Sequence, residues 1–431
     1  MSLAAIAAAA SALAPWGRRF AERGGWRLYV VGGAVRALLR GEDLRPDDEV
    51  DMTTDAPPAA VREVLTGWAD TVWTQGERFG TVGCRRAGRT VEITTHRAEV
   101  YVEGSRRPEV SYGDDVLADL ARRDFTIGAM AFEVPAELPP GGAAVELIDP
   151  FGGREDLEGG RLRTPRSPEQ SFAEDPLRML RAGRFVATLG LVADPELEEA
   201  MAALRGRLEI VSVERCAREL SLLLAAEAPA AGADLLARTG VLAEVVPELA
   251  AAGPAAATGV PLLDEVPPGE PLRLAALLWP VPDVGGVVRR LRFPAAVARR
   301  ADAIVTAARA LLAVAGTADD DATVRRWARD AGAGAPSAVA LAAAVAPRRT
   351  AVAAFAERWR RLVAEQDLSG PPPLSGAAVM AHLGIEEGPA VGAALRHLEE
   401  LQIAEGPLDA TEARRRLSAW WEAIREPGPG G

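Results

Sequence analysis

Lysine and asparagine are absent from this 431-residue sequence, so all 49 of its basic side chains are arginine. Any phosphate group that the protein binds must therefore contact arginine, backbone N–H groups or hydroxyls, and arginine suits bidentate contacts to phosphate. The formal net charge of −12 gives no overall attraction for nucleic acid. Binding of a polyanion would have to rest on local clusters of arginine.

Cysteine and histidine are scarce. The two cysteines, Cys84 and Cys216, are far apart and lack CxxC spacing, so the sequence predicts neither a zinc site nor a disulfide framework. Unpaired thiols fit a reducing cytoplasm. The three histidines, His96, His382 and His397, are too few for a histidine-rich metal centre.

Long apolar runs are also missing, because no window approaches the ~18 uncharged apolar residues of a membrane-spanning helix. The apolar start of the chain, MSLAAIAAAASALAPW, is followed by its first cations, Arg18 and Arg19, whereas a secretory signal carries its cations in front. We therefore expect an amphipathic first helix that packs on the domain behind it, and a cytoplasmic protein.

What the sequence does contain is a strand–glycine–helix pattern near its start. An apolar strand, residues 28–31, ends at Gly32 and Gly33, and a short helix that carries Arg36 follows. Glycines in front of a helix allow backbone N–H groups to approach an anion closely. This part of the pattern indicates a phosphate-binding turn.

A pair of acids follows on the next predicted strand, at Glu49 and Asp51. Side chains two residues apart on a strand point to the same face, so the two carboxylates could share a hard cation such as Mg²⁺. Such a cation takes oxygen ligands and brings the phosphates of a substrate with it. Together, turn and acid pair predict a metal-dependent phosphate site.

This order of elements resembles the head domain of the class II nucleotidyltransferases, the family of tRNA CCA-adding enzymes and bacterial poly(A) polymerases. Further segments that resemble the family follow in the family's order across roughly residues 25 to 225. These segments are Gly80–Val82, Glu92–Arg97, Ala121–Ile127, Ile148–Gly153, Phe172–Arg181, Arg184–Phe185, and Ser212–Arg215 with Glu219–Leu220.

The resemblance implies an α+β fold, with a small mixed α/β, polymerase-beta-like nucleotidyltransferase head followed by an all-α neck, body and tail. We expect the head at residues 1–153, the neck with its nucleotide-selecting helix at 154–225, the body at 226–350 and the tail at 351–431. Some relatives carry a phosphohydrolase domain marked by a His-Asp pair. Trp279 and Pro280 stand at that place here, so no phosphohydrolase activity is expected.

The resemblance also implies roles for individual residues. Glu49 and Asp51 match the catalytic metal-binding positions, and Glu92 is a candidate for a third catalytic acid near them. The other matches are nucleotide-binding positions: Gly32, Gly33, Arg36, Arg123 and Asp124 at the triphosphate and ribose, and Asp175, Arg178, Arg181 and Arg184 on the neck. The implied cofactor is Mg²⁺, and the implied partners are tRNA, CTP and ATP.

Base choice in the family depends on side chains that act as a template, and Asp175 and Arg178 occupy those positions here. Their separation of one helical turn lets both reach the same base. The arginine offers donors and the aspartate offers acceptors, so the pair can meet both kinds of edge of a cytosine or an adenine. Arg181 and Arg184 continue the same face and would lie beside the phosphates.

Three positions depart from the family's pattern. Glu49 replaces the usual aspartate, Ala37 replaces an aspartate after the arginine of the glycine turn, and Gly128 replaces an asparagine. One additional methylene moves a carboxylate by about 1.5 Å, and reaction rates depend steeply on such geometry. We expect an active but slow enzyme, and the rival hypothesis is a catalytically weakened RNA-binding relative.

The leading functional hypothesis is addition or repair of the 3′-CCA end of tRNA. An A-adding enzyme or a poly(A) polymerase of the same family is an alternative. The chain retains a loop at residues 98–115, which relatives that add only C lack, so addition of C alone is disfavoured. The sequence leaves open whether both CTP and ATP are used, how body and tail bind tRNA, and the oligomeric state.

Overall fold

A computed structural model of the protein describes residues 3–45, 48–77, 80–100, 109–112, 115–138, 145–253, 259–317, 320–346, 349–368 and 370–425, with the backbone alone at 97–100 and 109–112. The chain divides into two compact units, Met1–Val245 and Val246–Gly431. The finer division into head, neck, body and tail stays a prediction. Most of the loop at 98–115 lies outside the residues whose side chains are described.

All strands among the described residues belong to the first unit. They are β1 (Leu28–Val31), β2 (Val50–Thr54), β3 (Thr71–Trp73), β4 (Thr81–Arg86), β5 (Arg89–Thr95), β6 (Arg97–Val100), β7 (Glu109–Tyr112), β8 (Ala131–Glu133), β9 (Leu147–Ile148), β10 (Arg161–Leu162) and β11 (Val192–Ala193). Seven of them form one mixed sheet in the order β3–β4–β5–β2–β1–β8–β9. Strand β2 is the middle strand, antiparallel to β1 and parallel to β5.

The position of β2 confirms a central strand for Asp51, one of the two acids of the predicted pair. Asp51 lies on this strand, but the strand begins at Val50, so Glu49 directly precedes it instead of belonging to it. Val50 and Met52, which alternate with the acids, are buried. This alternation turns Asp51 away from the apolar core and toward the open face of the sheet.

The first helix, α1 (Ala4–Gly24), packs on the head, as its amphipathic sequence predicted. Its residues Ile6, Leu13 and Phe20 are seven apart and therefore share one face of the helix. All three are buried in a core that they share with strand residues such as Val30. Burial of apolar side chains of this size contributes about 1.5–3 kcal/mol each.

The other helices of the first unit connect and cover the sheet and then continue as a helical region. They are α2 (Gly33–Leu39), α3 (Pro58–Leu65), α4 (Val116–Ala121), α5 (Gly153–Gly159), α6 (Pro168–Glu174), α7 (Leu177–Leu189), α8 (Pro195–Leu204), α9 (Val213–Leu224), α10 (Pro229–Arg238) and α11 (Val241–Val245). Among described residues after 160, the only strands are the two-residue β10 and β11, which pair in parallel. The predicted mixed head with a helical remainder is confirmed.

The second unit is helical throughout its described residues. Its helices are α12 (Pro247–Ala251), α13 (Leu262–Glu265), α14 (Glu270–Leu277), α15 (Val284–Arg290), α16 (Ala295–Val314), α17 (Asp321–Ala331), α18 (Ala335–Val345), α19 (Thr350–Glu365), α20 (Gly376–Leu383), α21 (Pro389–Glu405) and α22 (Ala410–Arg425). In the described part of the whole chain, every helix is too short or too polar to cross a membrane.

Two of the segments recognised in the sequence pack directly on each other. Asp149 accepts hydrogen bonds from the N–H groups of Gly153 and Arg154, at 2.7 and 2.9 Å, and so caps the start of α5. A side chain at Gly153 would bring its Cβ within 2.1 Å of the carbonyl oxygen of Thr126. Only glycine therefore allows this contact, which holds the segment around residues 121–127 against α5.

Candidate active site

The turn between β1 and α2 requires glycine for two reasons. Gly32 has φ +71°, a backbone conformation that other residues rarely adopt. A Cβ at this position would also lie 3.2 Å from Nη1 of Arg123 and 3.8 Å from Oδ2 of Asp51. The turn therefore brings the backbone next to the predicted phosphate-binding arginine and to one of the predicted metal ligands.

Three neighbouring carboxylates lie on or directly before the strands beside this turn, and we call them the acidic floor: Glu49, Asp51 and Glu92. Asp51 and Glu92 are directly paired residues of the parallel strands β2 and β5. Side chains of such paired residues point to the same face of a sheet. The candidate third acid thus lies next to Asp51, one of the two predicted metal ligands.

The negative charges of the acidic floor are close together and lack ion-pair partners among the described residues. Burial raises the pKa of Glu92, and so does repulsion from Glu49 and Asp51. Partial desolvation by the surrounding protein atoms also raises the pKa of Asp51, although its side chain is exposed and Arg123 and Arg181 act in the opposite direction. No side-chain hydrogen bond or ion pair of these three carboxylates occurs within the described residues. A cation bound here would relieve the repulsion.

The donor set of the acidic floor fits Mg²⁺. Among the described residues, no group of three or more acidic, histidine or cysteine side chains is close enough to form a complete metal site. Mg²⁺ does not require one, because it commonly binds one or two carboxylates and fills its other positions with water and substrate phosphate oxygens. Glu49 and Asp51 would supply the protein ligands, and their carboxylate oxygens are the ligand type that this ion prefers.

A buried aspartate organises the two arginines that precede Asp124. Asp119 on α4 is 1% exposed. Its carboxylate accepts hydrogen bonds from Nε and Nη2 of Arg122, at 3.1 and 2.7 Å, and from Nη2 of Arg123 at 3.3 Å. Burial raises the pKa of Asp119, but the two arginines outweigh it and hold the pKa below its usual range. Asp119 therefore stays ionised and fixes Arg123 beside Gly32.

Asp124 ties the head to the neck helix α7. Its Oδ2 accepts hydrogen bonds from Nε and Nη2 of Arg181, at 2.8 and 2.6 Å, and its Oδ1 accepts from the N–H of Phe125. Burial raises the pKa of Asp124, yet Arg181 and the N–H of Phe125 bring it below its ordinary value. A Cβ at Gly128 would lie 3.4 Å from Oδ1, so this departure from the family leaves space beside Asp124.

The proposed base-reading pair lies at the junction of two helices. The sequence predicted Asp175 on the neck helix, but it is the C-cap of α6, and α7 begins at Leu177. Its carboxylate accepts hydrogen bonds from the N–H of Leu177 and from Nη2 of Arg215, both at 3.2 Å. The backbone hydrogen bond from Arg178 N–H to the carbonyl of Asp175, 3.1 Å long, still keeps the pair one turn apart.

Arg178 is held by the protein on several sides. Its Nη1 donates to the carbonyl and hydroxyl oxygens of Ser171, at 3.2 and 2.9 Å, and forms an ion pair with Glu174 at 3.4 Å. Its Nη2 donates to the carbonyl oxygen of Arg122 at 2.6 Å. The residue after Arg122 is the phosphate-binding candidate Arg123, so the base-reading and phosphate-binding candidates are neighbours in space.

Sequence reasoning found no role for three residues that now stand out. Asp119 could have been found from its spacing, because it lies three and four residues before Arg122 and Arg123 on one helical turn. Glu219, which forms a 2.9 Å ion pair with Arg184, is on another helix and gives no local signal. Phe185 was part of a recognised segment, but its contacts depend on the tertiary fold.

Comparison with known proteins finds two family models that match parts of the chain. Residues 28–163 match the model of the poly A polymerase head domain, and residues 190–252 match the model of a probable RNA- and SrmB-binding site of polymerase A. A CCA-adding enzyme of Geobacillus stearothermophilus is 38% identical over 218 residues, 50% of either chain. One of Geobacillus thermodenitrificans is 39% identical over 233 residues, 54% of either chain.

These sequence matches span about half the length of the curated relatives. The fold similarity extends further. A crystal structure of Bacillus stearothermophilus CCA-adding enzyme in complex with CTP superposes with a TM-score of 0.73 and 28% sequence identity, and the superposition covers 95% of this chain and 97% of that one. The matched head, the sheet with its acidic floor and the neck helix agree with the resemblance of the sequence to the class II nucleotidyltransferases, the family of CCA-adding enzymes and poly(A) polymerases.

Proposed function

We propose that the protein transfers CMP and AMP from CTP and ATP to the 3′ end of tRNA without a nucleic-acid template, and so adds or repairs the CCA end. The observation that carries this proposal is the contact between the neck and the head. Arg178 donates to the carbonyl of Arg122, and the adjacent Arg123 lies beside Gly32 and Asp51. A base read at Asp175 and Arg178 would therefore have its phosphates near the acidic floor.

The metal would be held by Glu49 and Asp51. Nucleotidyltransferases of this family need a divalent metal, and we propose Mg²⁺ because carboxylate and phosphate oxygens are its preferred ligands. When bound, Mg²⁺ supplies charge that activates the attacking 3′-hydroxyl and stabilises the leaving pyrophosphate. Partial desolvation raises the pKa of Asp51, and a bound cation would favour its ionised form at the site.

The protein's own side chains would orient the nucleotide. Arg36 and Arg123 would bind the triphosphate, and Asp124, held by Arg181, would lie at the ribose. Asp175 and Arg178 would hydrogen-bond the base edge, because one offers acceptors and the other offers donors. Both now contact other protein groups, so reading a base requires an exchange of partners at Ser171, Glu174 or Arg215.

Other members of the family add only A or make poly(A), and the names of the relatives favour CCA addition over these. The test incubates the protein with Mg²⁺, labelled CTP or ATP, and tRNAs that end at the discriminator base, at C or at CC. We expect C to be added to the first two tRNAs and A to the third. Addition of A alone to every tRNA would indicate the A-adding alternative.

A catalytically silent RNA-binding relative would bind tRNA in the same experiment without extending it. Asp51→Ala serves as the matched control, because it removes a proposed metal ligand at a solvent-accessible position. Extension that persists in this variant would place the metal site elsewhere. We also propose a cytoplasmic location, in keeping with a tRNA substrate and with the two unpaired cysteines.

A further inference from the structure

Three arginine side chains, one from α2 and two from α7, lie close to one aromatic ring of the neck helix. The ring of Phe185 on α7 is 8% exposed. The guanidinium carbons of Arg184, Arg36 and Arg181 lie 4.5, 5.2 and 5.9 Å from its centroid. Phe125 contacts it edge-on, with centroids 5.4 Å apart and planes at 82°. Each guanidinium lies within the range of a cation–π interaction.

The three arginines differ in how their charges are balanced. Arg181 pairs with Asp124 at 2.6 Å, and Arg184 pairs with Glu219 at 2.9 Å. Within the described residues, the guanidinium of Arg36 makes no hydrogen bond or ion pair. Burial lowers the pKa of Arg36, and Asp124 opposes this effect from a distance. Arg36 is thus the one member of the trio without a carboxylate partner of its own among those residues.

An aromatic partner has a consequence that a carboxylate would not have. A carboxylate would neutralise Arg36 and would compete with any phosphate for its N–H donors. The face of an aromatic ring attracts the cation and limits its freedom, but leaves the positive charge and all the donors available. Phe185 therefore limits the motion of the Arg36 side chain but leaves its charge and its hydrogen-bond donors available to a ligand.

We propose that Phe185 is a positioning residue that holds Arg36 ready for the polyphosphate of the incoming nucleotide. The proposal rests on the proposed function for the identity of the nucleotide, whereas the binding of a polyphosphate can be tested without catalysis. If Phe185 has this role, the neck contributes to triphosphate binding through a residue that does not itself contact phosphate.

The test measures the affinity of the protein for inorganic tripolyphosphate by calorimetry, together with KM and kcat for CTP and ATP. We expect Phe185→Leu to weaken tripolyphosphate binding about tenfold, the size of a lost partly desolvated cation–π contact. KM should rise to a similar extent, while the preference for CTP over UTP stays as in the wild type. Phe185→Tyr, which keeps the ring, should retain wild-type affinity.

Phe172→Leu is the matched control for packing. Phe172 is fully buried on α6, so its truncation costs stability in the same way but should leave tripolyphosphate affinity unchanged. A Phe185→Leu protein that melts like this control and binds tripolyphosphate like the wild type would overturn the proposal. If Phe185→Leu fails to fold, Phe185→Met gives the same comparison.

A double-mutant cycle separates positioning from packing. If Phe185 acts through Arg36, then Phe185→Leu should cause no further loss of tripolyphosphate affinity in an Arg36→Gln background. Additive losses would contradict the proposal. A wild type that binds tripolyphosphate but adds no nucleotide would refute the proposed function alone, because the cycle would still report on Phe185.

Discussion

The acidic floor and the neck helix differ in whether their charged side chains have partners of opposite charge. Glu49 and Asp51 repel Glu92, and none of the three has an ion-pair or hydrogen-bonding partner among the described residues, although Arg123 and Arg181 favour the charged form of Asp51. On α7, by contrast, each arginine proposed to bind the nucleotide has a carboxylate partner. These pairs are Arg178 with Glu174, Arg181 with Asp124, and Arg184 with Glu219.

This difference indicates which part of the site is completed by a ligand. Like charges held together without partners destabilise the empty protein, and a cation that binds there recovers that free energy. Charges that are already paired stabilise the empty protein, and a ligand must replace their partners in order to bind. The floor should therefore respond strongly to metal, and the neck should respond strongly to the loss of a partner.

The largest effect is expected when the acidic floor loses a ligand. Asp51→Ala or Glu49→Ala should reduce nucleotide addition by at least about a thousandfold, since several kcal/mol of transition-state stabilisation depend on the metal. The melting temperature should not fall, because both acids are exposed and unpaired. Glu63→Ala, which removes another exposed acid of the head, is the control and should keep full activity.

Loss of the buried partner of Arg122 and Arg123 should have the next largest effect. Asp119→Asn removes the ionised group that holds both arginines, so Arg123 loses its position beside Gly32. We expect a rise of about tenfold in KM for CTP and ATP alike, with a loss of roughly 1–3 kcal/mol of unfolding free energy. Asp156→Asn removes a similarly buried carboxylate and measures the stability loss on its own. Unequal changes for the two nucleotides would contradict a role at the phosphates.

Base choice should change when the neck pair is truncated. Asp175→Ala or Arg178→Ala should reduce the discrimination of CTP and ATP against UTP and GTP by about 1–3 kcal/mol, because one edge of the base loses its partner. Arg166→Ala is the matched control, since Arg166 also pairs with Glu174 but is more exposed and lies outside the pair. Competition assays with all four nucleotides measure this. Wild-type discrimination in both variants would remove the template role.

A modest increase in the rate of nucleotide addition is expected when Glu49 is shortened to aspartate. If the additional methylene of Glu49 displaces a working metal ligand, Glu49→Asp should raise the rate of nucleotide addition a few-fold, because the rate depends on the geometry of the reacting groups. Steady-state addition to tRNA ending in CC, at several concentrations of Mg²⁺, measures the change. An inactive wild type that this substitution does not rescue would favour the RNA-binding alternative.

The two regions also differ in how well the sequence predicted them. Local patterns placed the glycine turn, the central strand of Asp51 and the amphipathic α1 correctly, because the spacing of buried residues determines these elements. The partners of the neck arginines come from segments distant in the sequence, such as Asp124 for Arg181 and Glu219 for Arg184. No single-sequence pattern encodes such pairs. The break at Asp175 was missed because Pro176 also fits the first turn of a helix.

The smallest expected effect is on stability, and it tests whether repulsion within the acidic floor destabilises the protein before metal binds. Glu92→Gln keeps the shape of the side chain but removes one of three neighbouring negative charges. In the absence of divalent metal, this variant should therefore melt about 1–2 °C higher than the wild type. The gain should shrink as salt screens the repulsion, and Mg²⁺ should stabilise the wild type more than the variant. Glu63→Gln, an exposed acid away from the floor, should show neither response. A Glu92→Gln protein that is less stable than the wild type without metal would mean that Glu92 stabilises the empty head, and the contrast between floor and neck would then be wrong.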